Sequence, residues 1–263
     1  MTTRPEELGV EVAPGVLRVR ADNPSHMTLT GTNSYLIDRR ILIDPGPDLE
    51  PHLDALARFP IETVLISHRH RDHTGGIDGL VARRTGARVH AVLPEFRRDG
   101  AQLSHLERIE VDGGMLEVLA TPGHTSDSLS FVLLRDGADR GHVFTADTIL
   151  GGVTTVLDHP DGALGDFLSS LDLLTSHGDE APLQVLPAHG EPIADVAAES
   201  RRLRAHRLRR LEQVADVREQ FDDDVALIAR HLYRDAPEAV MPAAEHTVLA
   251  NLAHLQMLDS RDA

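Results

Sequence analysis

Ile66-Ser67-His68-Arg69-His70-Arg71-Asp72-His73-Thr74-Gly75-Gly76 sets His68, His70, Asp72 and His73, all able to bind metal, directly after the apolar run Thr63-Val64-Leu65-Ile66. That run reads as a buried strand, and the glycine pair leads into a helix near 76–84. In an extended chain, side chains two residues apart share a face, so His68 and His70 point the same way. Asp72 and His73 turn toward a second position as the chain enters the helix. One segment can therefore feed two metal ions.

Working outward, strands are expected at 16–19, 34–37 and 41–44, the last stopped by Pro45-Gly46-Pro47. A helix near 48–58, a strand at 88–92 and further strands around 116–120, 128–134 and 142–146 follow. Leu164, Leu168, Leu171 and Leu174 mark a helix, and 184–186 another strand. This order of helices and strands is α/β, with two similar halves. A polar ligand closes each of three more strands: His124 in Thr121-Pro122-Gly123-His124-Thr125, Asp147 in Phe144-Thr145-Ala146-Asp147, and His189 in Leu186-Pro187-Ala188-His189-Gly190. Past about residue 196 the pattern is helical alone, carried by Leu208, Leu211 and Val214, then Val225, Ile228 and Leu232, then Val248, Leu252 and Leu255. Asp222-Asp223-Asp224 suits the start of the second of these helices, where acidic groups meet the positive end of the dipole.

Composition removes several function classes. With no Cys, a disulfide framework, a thiolate metal site and a cysteine nucleophile are all excluded, so any metal is held by His, Asp and Glu. No apolar run reaches the roughly 18 residues of a membrane span, and the first residues lack the apolar core of a secretory signal, so a cytoplasmic protein without a membrane partner is expected. The 26 basic residues, all Arg, against 42 acidic ones give a net charge of −16, which on average repels polyanions. Only Arg201, Arg202, Arg204, Arg207, Arg209 and Arg210 form a basic stretch, and a solvated helix face explains it better than a nucleic-acid contact. Sixteen histidines stand against 3% aromatic residues, and the eleven outside the ligand motifs read as ordinary.

Together the four ligand motifs resemble the metallo-β-lactamase superfamily, over about residues 15–195. The resemblance implies a four-layer αββα sandwich with the site at the strand ends. It assigns His68, His70 and His124 to one metal, Asp72, His73 and His189 to the other, and Asp147 to a bridge between them. Imidazole and carboxylate donors suit two divalent ions, Zn²⁺ first, with Mn²⁺ or Fe²⁺ as alternatives. Such a pair lowers the pKa of a shared water toward about 7 and supplies a bridging hydroxide and a Lewis acid, the chemistry of hydrolysis. Asp72 is expected to be catalytic as well, accepting the hydroxide's proton and passing it to the leaving group. Asp44, Thr125 and Ser128 are expected to support the ligands from behind, because metal-bound imidazoles donate their other N–H to a fixed acceptor.

Within the superfamily, the lactamases proper commonly use a Cys ligand, which this chain lacks. The large RNA-processing nucleases insert a domain before the last ligand, for which the step from Asp147 to His189 leaves no room. Quorum-signal lactonases use a nearby Tyr, whereas Tyr35 and Tyr233 stand apart from the motifs. Closer is the lactamase-beta-like subfamily with a small winged-helix-like C-terminal domain, similar at Thr32-Asn33-Ser34-Tyr35-Leu36-Ile37, at the histidine motif, and at Asp147-Thr148-Ile149-Leu150-Gly151 with Thr154-Thr155-Val156. Ala146, Thr148 and Arg69 depart from its pattern, where Gly, Cys and a bulky aromatic are common. Residues 1–195 then form the catalytic domain and 196–263 the helical winged-helix-like one. Members of that subfamily cut single-stranded RNA or release acyl chains as thioesterases. The low aromatic content and acidic charge favour a small acyl ester or thioester, with an endoribonuclease as the alternative. A second alternative is a non-catalytic nucleic-acid-binding or sensor protein. The apolar helical tail offers a surface for a homodimer.

Overall fold

A computed structural model describes residues 9–262. It contains two β-sheets. The first runs in sequence order through β1 (Val10–Ala13), β2 (Val16–Arg20), β3 (Asn33–Ile37), β4 (Ile41–Ile43), β5 (Thr63–Leu65), β6 (Arg88–Ala91) and β7 (Asp99–Gln102). The second contains β8 (Arg108–Val111), β9 (Gly114–Ala120), β10 (Leu129–Arg135), β11 (Gly141–Ala146) and β12 (Leu183–Pro187), in the spatial order β12-β11-β10-β9-β8. Each sheet changes character partway. Strands β1 to β4 are antiparallel and β4 to β7 parallel, while β8 to β11 are antiparallel and β11 to β12 parallel.

The layering follows from the two-residue period of the strands. Tyr35, Ile37, Ile43 and Leu65 of the first sheet meet Val118, Phe131, Leu133 and Phe144 of the second, which makes the inter-sheet core. The alternate residues Leu36, Leu42 and Val64 face the other way, under α1 (Glu50–Leu56) and α3 (Ile77–Arg83). On the far side Val132, Val143 and Val185 lie under α4 (Leu164–Glu180), which contributes Phe167, Leu171 and Leu174. Helix, sheet, sheet and helix are therefore stacked in four layers, as expected. Between β5 and α3 the histidine segment makes an additional single helical turn, α2 (Arg71–Thr74), ahead of the glycine pair, and the helix expected near 76–84 follows that pair as α3.

Beyond β12 the described residues form no strand, so the expected helical tail is present but a winged-helix arrangement is not shown. The tail consists of α5 (Val196–Val217), α6 (Val225–Leu232) and α7 (Met241–Asp262). Val214, Ile228, Ala229, Val248 and Leu252 give it a small core of its own. Val196, Leu203 and Ala250 instead join the core beneath α4, so the tail is welded to the second sheet's outer layer. Of the three consecutive acids, Asp224 alone caps α6, accepting from Leu227 N–H at 2.9 Å, while Asp222 and Asp223 take positive φ in the preceding turn. No helix among the described residues is long and apolar enough to cross a membrane.

His52 on α1 is buried against Ser34, its Nε2 lying 3.0 Å from Ser34 Oγ, and burial pushes its pKa down to about 4 from 6.5. The unfolded chain binds that proton from about pH 6.5 downward and the folded one resists it to about pH 4, so stability falls with pH across this window. His52→Gln is expected to flatten that loss, seen as a smaller drop in urea midpoint between pH 7 and pH 5 than in the parent protein.

Candidate metal centre

All seven ligands expected from the sequence meet at the ends of the strands, in three groups whose donor atoms lie within 4.8 Å of one another: His68, His70 and His124; His68, His73 and Asp147; Asp72, His73 and His189. The extended backbone from β5 aims His68 Nε2 and His70 Nδ1 at one point, 3.1 Å apart, and His124 Nε2 lies 3.0 Å from the same His70 atom. The α2 turn rotates Asp72 and His73 the other way. There His189 Nε2 lies 3.1 Å from Asp72 Oδ2 and 3.4 Å from Asp147 Oδ1. Asp147 faces both clusters, with Oδ1 3.4 Å from His73 Nε2 and Oδ2 3.6 Å from His124 Nε2.

Backbone strain helps to aim these groups. Asp44 and Ala146 hold φ of +53° and +46°, which side chains other than Gly seldom adopt. The Ala146 value accounts for the usual Gly before the aspartate, since Gly reaches that conformation without strain. Gly123 is required on other grounds: at φ +137° its missing Cβ would stand 2.4 Å from Phe167 Cα, so any side chain would push the His124 loop off α4.

The buried side of each imidazole is held. His73 Nδ1 lies 2.8 Å from Asp44 Oδ2, and Asp44 also accepts from Ser67 N–H and Oγ–H. Ser67 Oγ stands 3.0 Å from His68 Nδ1. His124 Nδ1 faces the Val156 carbonyl at 2.5 Å and Thr155 Oγ1 at 3.1 Å. His70 Nε2 lies 3.1 Å from Asp158 Oδ2, and His189 Nδ1 3.3 Å from the Gly31 carbonyl. The segment bearing His189 is tied down by Asn33, which donates to the Pro187 and Gly190 carbonyls, and by Tyr35, whose hydroxyl donates to Pro187.

Asp44 thus stands behind His73 as the sequence suggested, but Thr125 and Ser128 do not reach an imidazole. Their hydroxyls lie 2.7 Å from each other and close the turn after His124. The support for His124 comes instead from the 154–156 loop, because its ring points away from its own turn. Asp158 was also missed, since no motif spacing links it to His70. Arg69 carries the only signal: its guanidinium lies 2.9 Å from both Asp158 and Asp161, which gives the departure from an aromatic residue a partner.

The donors suit divalent metal. His73 Nε2 and Asp147 Oδ1 are both buried and, although 3.4 Å apart, neither makes a hydrogen bond. Burial opposes charge on Asp147, yet the His189 and His73 imidazoles hold its carboxyl well below the usual range. Burial likewise opposes a proton on His73, but Asp72, Asp147 and Asp44 raise its pKa well above the ordinary value, and Asp147 with Asp72 pushes His189 up to about 9. On the other side burial, with His73 next, drives His68 well below its usual pKa. One half of the site thus attracts positive charge strongly, while in the other burial lowers the pKa of His68 and His124 and favours their lone pairs. A cation would displace protons from the first and be coordinated by the second.

The model of the metallo-beta-lactamase superfamily matches residues 27–189, and the chain belongs to that superfamily. Its members bind divalent metals and are hydrolytic. A beta-lactamase-like protein 2 homolog of Drosophila melanogaster is 30% identical, over 92% of this chain and 87% of its own. An atrochrysone carboxyl ACP thioesterase of Aspergillus chevalieri is 34% identical, over 77% of this chain and 65% of its own. Among solved structures, a metallo-beta-lactamase family protein from Thermus thermophilus superposes with a TM-score of 0.76 over 95% of each chain, at 23% identity, and shares the fold.

Asp158→Asn is expected to lower zinc affinity about 10- to 100-fold, the usual cost of losing a carboxylate behind a ligand imidazole, with the far-ultraviolet circular dichroism unchanged. Competition against a chromophoric chelator measures it.

Proposed function

We propose that the protein is a binuclear metal-dependent acyl hydrolase whose substrate is a small ester or thioester. The observation that carries this reading is the lining of the cleft above the seven ligands. The cleft holds about 580 Å³ and exposes His70, Asp72, His124, Asp147 and His189 on one side. Met27, Leu29, Leu150, Val153, Val156 and Val240 line it elsewhere, which suits an acyl chain. Apart from histidines its one aromatic lining residue is Tyr233, one face of which carries the Arg210 guanidinium 4.3 Å from the ring centroid, so the cleft offers few surfaces on which bases could stack. Three other arginines of the basic stretch are spent within the protein: Arg201 pairs with Asp179, Arg202 with Glu199 and Arg204 with Asp172. A relative named as an ACP thioesterase supports the same reading.

In this proposal His68, His70 and His124 would hold one ion and Asp72, His73 and His189 another, with Asp147 within reach of both groups. Two divalent ions, Zn²⁺ foremost, supply Lewis acidity for the attacked carbonyl and lower the pKa of water toward about 7. Asp72, about a quarter exposed and facing the cleft, accepts the proton of the attacking water at Oδ2. The water oxygen bonds to the acyl carbon, the carbon–sulfur bond breaks, and that proton passes to the departing thiolate, which leaves a thiol and a carboxylic acid that loses the second water proton to solvent. Asp44, Ser67, Val156 and Asp158 keep the imidazoles oriented while this occurs.

An acyl thioester and a labelled single-stranded RNA, each offered to the zinc-loaded protein with and without chelator, test the proposal. Thioester cleavage that chelator abolishes, with RNA intact, is expected. Asp72→Asn is expected to lower kcat about 10²- to 10⁴-fold in a folded protein. Chelator-sensitive RNA cleavage with thioester untouched would overturn the substrate class.

A further inference from the structure

Helix α5 carries two arginines of a different kind from those just described. Arg207 is 2% exposed, among the largest fully buried side chains, and it lines the cleft. Its guanidinium donates to the Thr155 carbonyl and lies 5.1 Å from the Phe167 ring centroid. Its Nε is buried without a hydrogen-bond partner, and so is that of Arg210, which lines the same cleft one helical turn further on. Among the described residues no carboxylate stands within ion-pair distance of either, although Arg201, Arg202 and Arg204 on the same helix each have one. Burial lowers the Arg207 pKa to about 10, a group still charged at neutral pH.

A buried guanidinium whose hydrogen bond goes to a backbone carbonyl, beside an aromatic ring and within electrostatic reach of the like-charged Arg210, is costly, because none of these returns the hydration it has lost. In a chain with a net charge of −16, acidic side chains are abundant, yet none is placed against this pair. The cost is recovered when an anion enters the cleft, since hydrogen bonds between charged partners in a desolvated site are among the strongest available. Resting on the acyl-hydrolase reading, we infer that Arg207 and Arg210 form an oxyanion-binding subsite that selects substrates carrying a carboxylate or phosphate beside the scissile bond. The anion arrives either as a terminal carboxylate of the acyl group or as the phosphate of a pantetheine-type thiol. Arg207 fixes the anion's place because it is itself fixed by Thr155, and Arg210 closes over it from the Tyr233 side.

Four thioesters separate the two sources: butyryl and glutaryl N-acetylcysteamine, and butyryl pantetheine with and without its 4′-phosphate. The zinc-loaded protein is expected to show kcat/KM about tenfold or more higher for an anionic member than for its neutral counterpart. The pair showing the preference tells which side carries the anion. Arg210→Gln is expected to reduce that preference at least tenfold, chiefly through KM, and Arg207→Lys, which keeps the charge but loses the fork, to reduce it partly. Calorimetry with uncleavable thioether analogues of the glutaryl and phosphopantetheine compounds reads the subsite without turnover: one binds the parent protein, and Arg210→Gln loses that binding. Equal kcat/KM within both pairs would overturn the subsite while leaving the acyl hydrolase standing. If no thioester is cleaved, the hydrolase reading fails instead, and analogue binding or its absence decides the subsite alone.

Discussion

The site rests on one electrostatic demand: five imidazoles and two carboxylates, most of them buried and only His70 and Asp72 substantially exposed, are brought into one cluster and kept from collapsing onto one another. Buried carboxylates repel each other and lose hydration, so such a cluster survives only with cations or protons between its members and rigid supports behind them. The two sheets provide those supports by ending together at one edge, where the chain leaves β5, β9, β11 and β12 and presents a ligand each time. Strain at Asp44 and Ala146 is local evidence of the same demand, held in place by the packed core beneath.

The helical tail belongs to this arrangement. Its arginines and α7 wall the cleft, and Arg207 reaches the Thr155 carbonyl beside the Val156 carbonyl that holds His124. Hydrogen bonds on the Thr155-Val156 segment therefore tie both the tail and the His124 imidazole to the same stretch of backbone. The cleft is thus lined by the tail on one side and by the histidine and aspartate cluster on the other.

Much of this was legible in the sequence. Metal ligands after apolar runs are a local signal, and the seven that stand in such motifs are the seven that converge. The strands absent from the sequence reading, β1, β7 and β8, are four residues each and carry exposed polar residues such as Glu11, Asp99 and Arg108; burial leaves no clear period in β1 and β7, and in β8 the alternation of Arg108, Ile109, Glu110 and Val111 is too short to stand out. The supports were harder to read because hydrogen bonds between distant segments have no spacing rule. Asp44 was accessible from its place before a turn, whereas Asp158 and the Val156 carbonyl depend on how the 154–162 loop crosses the site. Thr125 and Ser128 were plausible by proximity in sequence alone, and the orientation of the His124 ring decided against them. The basic stretch misleads in the same way, since only the structure separates the arginines paired with acids from the two that face the cleft.

The most direct test of the central claim is to strip the protein of metal and return zinc stepwise while recording both bound zinc and thioester cleavage. Activity that rises with zinc and levels off at two equivalents per chain is the result expected from two ligand clusters joined through Asp147. Full activity at one equivalent, or activity indifferent to zinc, would contradict it.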